Sequence, residues 1–181
     1  MNRISVPSHD TAPQASRPLL GAVKDQLGVV PNVFRLIGNS PKVLEGFLGF
    51  NGAVAKTLDV KTRERIALAV AEVNGCDYCL SAHTYLATNM AGLDAEEVSL
   101  ARNGQSSNTR ANAAVAFAAK VASTRGRVED ADVINIKNAG YTDGQIVEIV
   151  ALVADNFFTN ILNNVAETEI DFPVVRSTYA A

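Results

Sequence analysis

The sequence is poor in the residues from which reactive sites are usually built: among its 181 residues there are two cysteines and two histidines. It also lacks any run approaching the eighteen or so consecutive apolar residues of a membrane span, so no membrane partner is expected. Charge of one sign is absent too. Sixteen Lys and Arg against nineteen Asp and Glu leave a net charge of −3, which offers no footprint for nucleic acid. The first residues, Met1 to Pro18, are polar, carry Pro7, Pro13 and Pro18, and have no apolar stretch of the kind a secretory signal needs. The expected compartment is therefore the cytoplasm, where structural disulfides are rare and a close cysteine pair points to redox chemistry or metal binding. Finally, no segment alternates apolar and polar residues with period two, so no sheet is expected.

What is present is helical rhythm. An apolar share of 48% over 181 residues suffices for one domain with a real core. Residues 1–18 are expected as an arm or tail and 19–181 as a single all-α domain, a bundle of about eight helices with short loops. Leu19, Leu20, Val23 and Leu27 mark a first helix ended by Gly28. Ser40 and Pro41 read as an N-cap and first helical residue, opening a helix that turns Val43, Leu44, Phe47 and Leu48 inward. The stretch Thr62 to Val73, with Ile66, Ala69 and Val70, should be largely buried and should end at Asn74-Gly75. A helix from about Cys76 to Met90 follows, on which Cys76, Cys79, His83, Leu86 and Met90 fall on one face directed inward or into a cleft. Asp94 with Glu97, and Thr142 with Gln145, read as capping boxes. Thr109 to Thr124 is an Ala-rich helix, and the longest periodic segment places Ile146, Val150, Val153, Phe157, Ile161 and Val165 on its inner side.

Asn74 to His83 concentrates the chemistry. Cys76 and Cys79 form a C-x-x-C pair, and His83 stands four residues beyond the second. A thiolate is the reactive form of cysteine, and both a helix N-terminus and a nearby base lower its pKa. Cys76 would feel the helix dipole, whereas Cys79 is one turn from the imidazole, so the spacing leaves open which sulfur ionises first. A thiolate that attacks a peroxide becomes a sulfenic acid, and a second thiol in reach condenses with it to a disulfide. A carboxylate should orient the histidine, and Glu64 and Glu72 are the candidates. The competing use of these ligands is a zinc-binding interaction module. Structural zinc sites usually complete themselves with a further Cys or His, and only His9 in the tail remains. Taken singly, Glu64 and Glu72 read as solvated helix residues and Tyr78 as a surface or rim aromatic.

Arg63-Glu64-Arg65, Asn74-Gly75-Cys76-Asp77-Tyr78-Cys79 and His83 together resemble the carboxymuconolactone decarboxylase superfamily, in its alkylhydroperoxidase AhpD-like, peroxidase-related branch. Gly28-Val29-Val30-Pro31-Asn32 and Glu169-Ile170-Asp171-Phe172-Pro173 extend the resemblance over most of the chain. It implies an all-helical, usually trimeric or hexameric protein that works without a cofactor as a thiol peroxidase on alkyl hydroperoxides or hydrogen peroxide. It further implies Cys79 as the attacking thiol, Cys76 as its resolving partner, Glu64 with His83 as a proton relay, and a dithiol reductant such as a lipoyl or thioredoxin-like protein. A lactone decarboxylase is the alternative activity within the same superfamily, and it would not need the cysteine pair. AhpD places a histidine before the second cysteine, where this chain has Tyr78, a residue that donates a hydrogen bond but does not readily hold a proton at neutral pH.

Overall fold

A computed structural model describes residues 2–178. Among them the chain is all-helical, without a strand: a 3-10 turn at Gln14–Ser16 and nine α-helices. These are α1 (Arg17–Leu27), α2 (Asn32–Ile37), α3 (Pro41–Val54), α4 (Val60–Val73), α5 (Asp77–Asn89), α6 (Ala95–Arg102), α7 (Thr109–Thr124), α8 (Asp130–Asn138) and α9 (Asp143–Ala166). The helix beyond the expected eight is the short α2.

The bundle is built around α4, which packs against α5, α6, α7 and α9. Its residues from Arg65 to Glu72 are all buried, because apolar side chains occur on every side of it rather than in one stripe. Leu68 and Ala71 enter one half of the core with Leu20, Leu44, Leu80 and both cysteines. Ile66, Ala69 and Val70 enter the other with Val115, Ala118, Ile149 and Leu152. Side-chain caps begin the helices that surround the site. Asp59 accepts from the Thr62 amide, Asp94 from Glu97, Asn108 from Ala111 and Thr142 from Gln145, each contributing roughly 1 kcal/mol.

Several expectations shift in detail. The N-terminal stretch read as an arm lies against the body: Arg35 Nε donates to the Pro7 carbonyl, Asn39 Nδ2 to that of Ser5, and Ala12 is buried. Leu27 and Val43 are exposed although they fit the helical rhythm. Thr142 and Gln145 form the expected reciprocal box. Glu97 does not reach back to Asp94, because its carboxylate accepts from Arg65 Nε (2.7 Å), Ser107 Oγ (2.5 Å) and the Ser106 hydroxyl. A buried arginine needs an anion more than the end of α6 needs a second cap.

The largest shift concerns α9. Its buried residues are Ile149, Leu152, Val153, Asp155, Asn156, Asn160, Asn163 and Ala166, while Val150, Ile161 and Val165 are exposed. Three asparagines occupy the inner face where the apolar period placed Ile161 and Val165. The outer face carries Val147, Phe158 and Ile161 to solvent, and Phe158 lines one shallow pocket with Val43 and Phe50 of α3. By length and composition α9 could cross a membrane, and here it packs on α3, α4, α5 and α7 as a core helix.

Candidate functional site

The site is seated by the turn that joins α4 to α5. Asn74 ends α4 and Gly75 takes a positive φ of 59°, a conformation glycine adopts without a Cβ penalty. The amide of Gly75 bonds to the Glu72 carbonyl and that of Cys76 to the Ala71 carbonyl, both at 3.0 Å. Cys76 is thereby placed at the N-cap of α5 rather than on the helix. Its backbone is extended, and its sulfur accepts from the Cys79 amide at 3.3 Å. The expected shared face is corrected at both ends, since Cys76 lies outside the helix and Met90 is 71% exposed. Both thiols are free and buried, Cys76 fully and Cys79 with 3% exposure.

Glu64 meets His83. The Oε2 of Glu64 lies 2.9 Å from His83 Nδ1, with the side chains 15% and 23% exposed. An ionised carboxylate only accepts, so Nδ1 carries the proton and Nε2 is the acceptor in the neutral ring. Burial alone would lower the His83 pKa. Glu64, the Cys79 sulfur and the Asp155 carboxylate outweigh it and raise the pKa above the ordinary value. Glu72 is held elsewhere. It is buried and accepts from Arg102 Nε (2.7 Å), the Thr178 amide (2.7 Å) and the Thr178 hydroxyl (2.6 Å). Burial raises its pKa, yet these bonds prevail and hold it below the usual carboxylate value. Glu64 and Glu72 therefore part company, one on the imidazole and the other on a structural arginine.

The two sulfurs are driven in opposite directions. For Cys79, burial opposes ionisation, but the Cys76 thiol, the charge of His83 and the side chains of Asn163 and Asn160 favour it, and its pKa falls to about 7. The bond to Cys79, with burial next, pushes the Cys76 thiol well up. One proton is thus retained on Cys76, and near neutrality a substantial fraction of Cys79 is thiolate.

Tyr78 is a tie rather than a rim aromatic. It is buried, donates to Asp171 Oδ1 at 2.8 Å and accepts from the Val33 amide at 3.1 Å, and its ring meets Phe172 edge-on at 5.9 Å. Asp171 Oδ2 also accepts from the Asn32 amide at 2.8 Å, and Asn32 Nδ2 donates to the Glu169 carbonyl at 3.0 Å. The outlying stretches Gly28–Asn32 and Glu169–Pro173, far apart in sequence, are joined at Tyr78. From there the chain runs over the start of α5 as a strap. Ser81 Oγ accepts from the Val175 amide at 2.9 Å, Asp77 Oδ1 from that of Ser177 at 2.8 Å, and Arg176 Nη1 reaches Asp77 Oδ2 at 2.7 Å.

Residues not singled out from the sequence complete the surroundings. Asn163 Nδ2 lies 3.4 Å from Cys79 Sγ, and Asn160 Oδ1 accepts from Asn74 Nδ2 at 2.9 Å. Asp155 accepts from Asn51 Nδ2 at 2.8 Å and is buried. An asparagine or aspartate at the buried phase of an otherwise apolar helix was the available signal. Among the described residues, no group of three or more His, Cys, Asp or Glu is arranged to hold a metal ion.

An all-helical fold with a cysteine pair at a helix start and an adjacent Glu–His couple defines a class that comparison with known proteins makes explicit. Residues 41–124 match the carboxymuconolactone decarboxylase family. The matched stretch runs from the start of α3 to the end of α7 and holds Glu64, Cys76, Cys79 and His83. The fold of the chain is similar to that of an alkylhydroperoxidase AhpD core, an uncharacterized peroxidase-related protein from Ralstonia eutropha JMP134, with a TM-score of 0.83 and 25% identity over 94% of this chain and 92% of that one. An uncharacterized peroxidase-related protein from Silicibacter sp. TM1040 superposes with a TM-score of 0.81 at 23% identity, covering 93% and 91% of the two chains. The debrominase Bmp8 shares the fold as well, with a TM-score of 0.78 at 24% identity over 93% and 92%. An uncharacterized protein of Haemophilus influenzae is 43% identical over 63 residues, which span 33% of this chain and 56% of that protein's length.

Proposed function

We propose that the chain is a thiol peroxidase that reduces hydroperoxides through a Cys76–Cys79 disulfide. The observation that carries this reading is the pairing of two free thiols of opposed acidity with a histidine whose proton is held by Glu64. In the first step the Cys79 thiolate attacks the terminal oxygen of the hydroperoxide. The O–O bond breaks, the alkoxide leaves as an alcohol with a proton from the His83 imidazolium, and the sulfur becomes a sulfenic acid. In the second, the Cys76 sulfur attacks the Cys79 sulfur. The S–S bond forms and the hydroxyl departs as water, taking the proton that Cys76 gives up. Two electrons pass from the thiol pair to the peroxide, and a dithiol donor such as a lipoyl or thioredoxin-like protein returns them. The apolar outer face of α9 fits self-association, which light scattering on the purified chain measures.

The test is stoichiometric. Reduced protein is mixed with limiting cumene hydroperoxide or hydrogen peroxide, and free thiols are counted. Two thiols lost for each peroxide consumed is the expected result, and survival of both thiols refutes the proposal.

A further inference from the structure

The inner face of α9 should be apolar on every ground of packing, yet Asn156, Asn160 and Asn163 lie there with 5%, 0% and 3% exposure. Asn156 has an ordinary use: its Nδ2 donates to the Leu152 carbonyl one turn back, at 2.9 Å. Asn160 and Asn163 make no such bond among the described residues. Asn160 turns its oxygen to Asn74 Nδ2, which leaves its own Nδ2 without a hydrogen-bond partner. Asn163 turns its Nδ2 to Cys79 Sγ and leaves its Oδ1 unpaired. A buried amide with one end unsatisfied is costly where leucine would pack freely. What the cost secures is a donor aimed at one sulfur.

We propose that Asn163 is an amide clamp on Cys79 Sγ that holds the sulfur as a thiolate and so makes Cys79, not Cys76, the thiol that reacts first. The clamp deepens the reading of Cys79 as the attacking thiol and rests on it. Neutral donors suit this position because a thiolate accepts hydrogen bonds and a thiol needs few. A lysine or arginine there would bring a charge into the core, whereas an amide supplies donors without one. The stretch of α9 around Asn163 is tied to the turn before α5. Asn74 Nδ2 donates to Asn160 Oδ1 and Asn164 Nδ2 donates to the Asn74 carbonyl, both at 2.9 Å, so the turn that seats Cys76 holds α9 on both sides of Asn163. The other titratable groups around the sulfur are Cys76, His83 and Tyr78, with Glu64 and Asp155 beyond the imidazole.

The experiment uses the full chain carrying Cys76→Ser, so that alkylation by iodoacetamide reports Cys79 alone. Its rate against pH gives the ionisation midpoint. Asn163→Leu is expected to raise that midpoint by about one pH unit, roughly a fivefold loss of thiolate at neutral pH. Asn156→Leu, which removes an equally buried asparagine with no bond to the sulfur, is expected to leave it in place. An unchanged midpoint in Asn163→Leu overturns the clamp. Should that variant fail to fold, the side-chain amide resonance of Asn163 is followed in the Cys76→Ser chain. It is expected to shift with the same midpoint as alkylation, and a resonance that does not titrate overturns the clamp. Neither readout consumes peroxide, so a chain that holds its thiolate but leaves hydroperoxide untouched refutes the proposed function and spares the clamp.

Discussion

Glu64→Gln removes the charge from the carboxylate while keeping its shape, and it isolates what the 2.9 Å contact with His83 does. Both side chains are mostly shielded, at 15% and 23% exposure, so water screens the pair only in part. A charge-assisted hydrogen bond of this kind is worth roughly 1.5–3 kcal/mol. That corresponds to about one to two pH units in the His83 midpoint, which should fall by this amount in the variant. The linkage sign follows from the direction of the shift. A histidine whose folded pKa lies above its ordinary 6.5 adds stability that is fully present below that value and is lost as pH rises through the folded value. Glu64→Gln should therefore destabilise the protein by roughly 1.5–3 kcal/mol at mildly acidic pH and by progressively less on the alkaline side. Cys79 loses part of its positive neighbour, so its midpoint should rise. The assays are the ring-proton resonance of His83 against pH, urea unfolding at acidic and alkaline pH, and the alkylation profile of Cys79. A His83 midpoint unchanged in Glu64→Gln refutes the reasoning, because the imidazole would then not depend on the carboxylate it touches.

Three other outcomes are expected. Glu97, with its pKa pulled to about 2 from 4.5 by bonds from Ser106, Ser107 and Arg65 that outweigh burial, adds stability present above its ordinary value and lost as pH falls from there through about 2. The drop corresponds to roughly 3 kcal/mol, so Glu97→Gln should flatten the acid limb of the stability curve in denaturant titrations, and an unaltered limb would contradict the network. Asp155 has a pKa raised by burial against the Asn51 bond and the charge of His83. Asp155→Asn should therefore gain up to about 1 kcal/mol at neutral pH and nothing at low pH, while lowering the His83 midpoint; a loss of stability at neutral pH would show that the buried carboxylate is net favourable. Removal of residues from 171 onward severs the bonds to Tyr78, Ser81, Asp77 and Glu72. A loss of roughly 3 kcal/mol and faster labelling of Cys76 are expected, and labelling as slow as in the intact chain would show that the strap does not cover that sulfur.

The helices were legible because their signals are local. A proline at the first position of α3, a reciprocal cap on Thr142 and Gly75 after Asn74 act within a turn of the chain, and each stands where the residue pattern puts it. The distribution of polar side chains inside the bundle was not legible. Glu64 and Glu72 lie eight residues apart on one helix, and only the placement of α5, α6 and the strap decides that His83 meets the first and Arg102 the second. The period of α9 misled for a related reason. Valines and isoleucines mark its outer face as well as its inner one, and the rule that asparagine faces water fails where a sulfur needs donors. Tyr78 escaped because its partners, Val33 and Asp171, are forty-five and ninety-three residues away.

The strap also governs how the protein can be handled. Its last described residues are bonded to Glu72 and Asp77, on either side of Cys76 in the sequence. An affinity tag or fluorescent fusion appended at the carboxyl end would pull on the segment that closes the cysteine turn. Thiol titrations on such a fusion would report the appendage together with the protein.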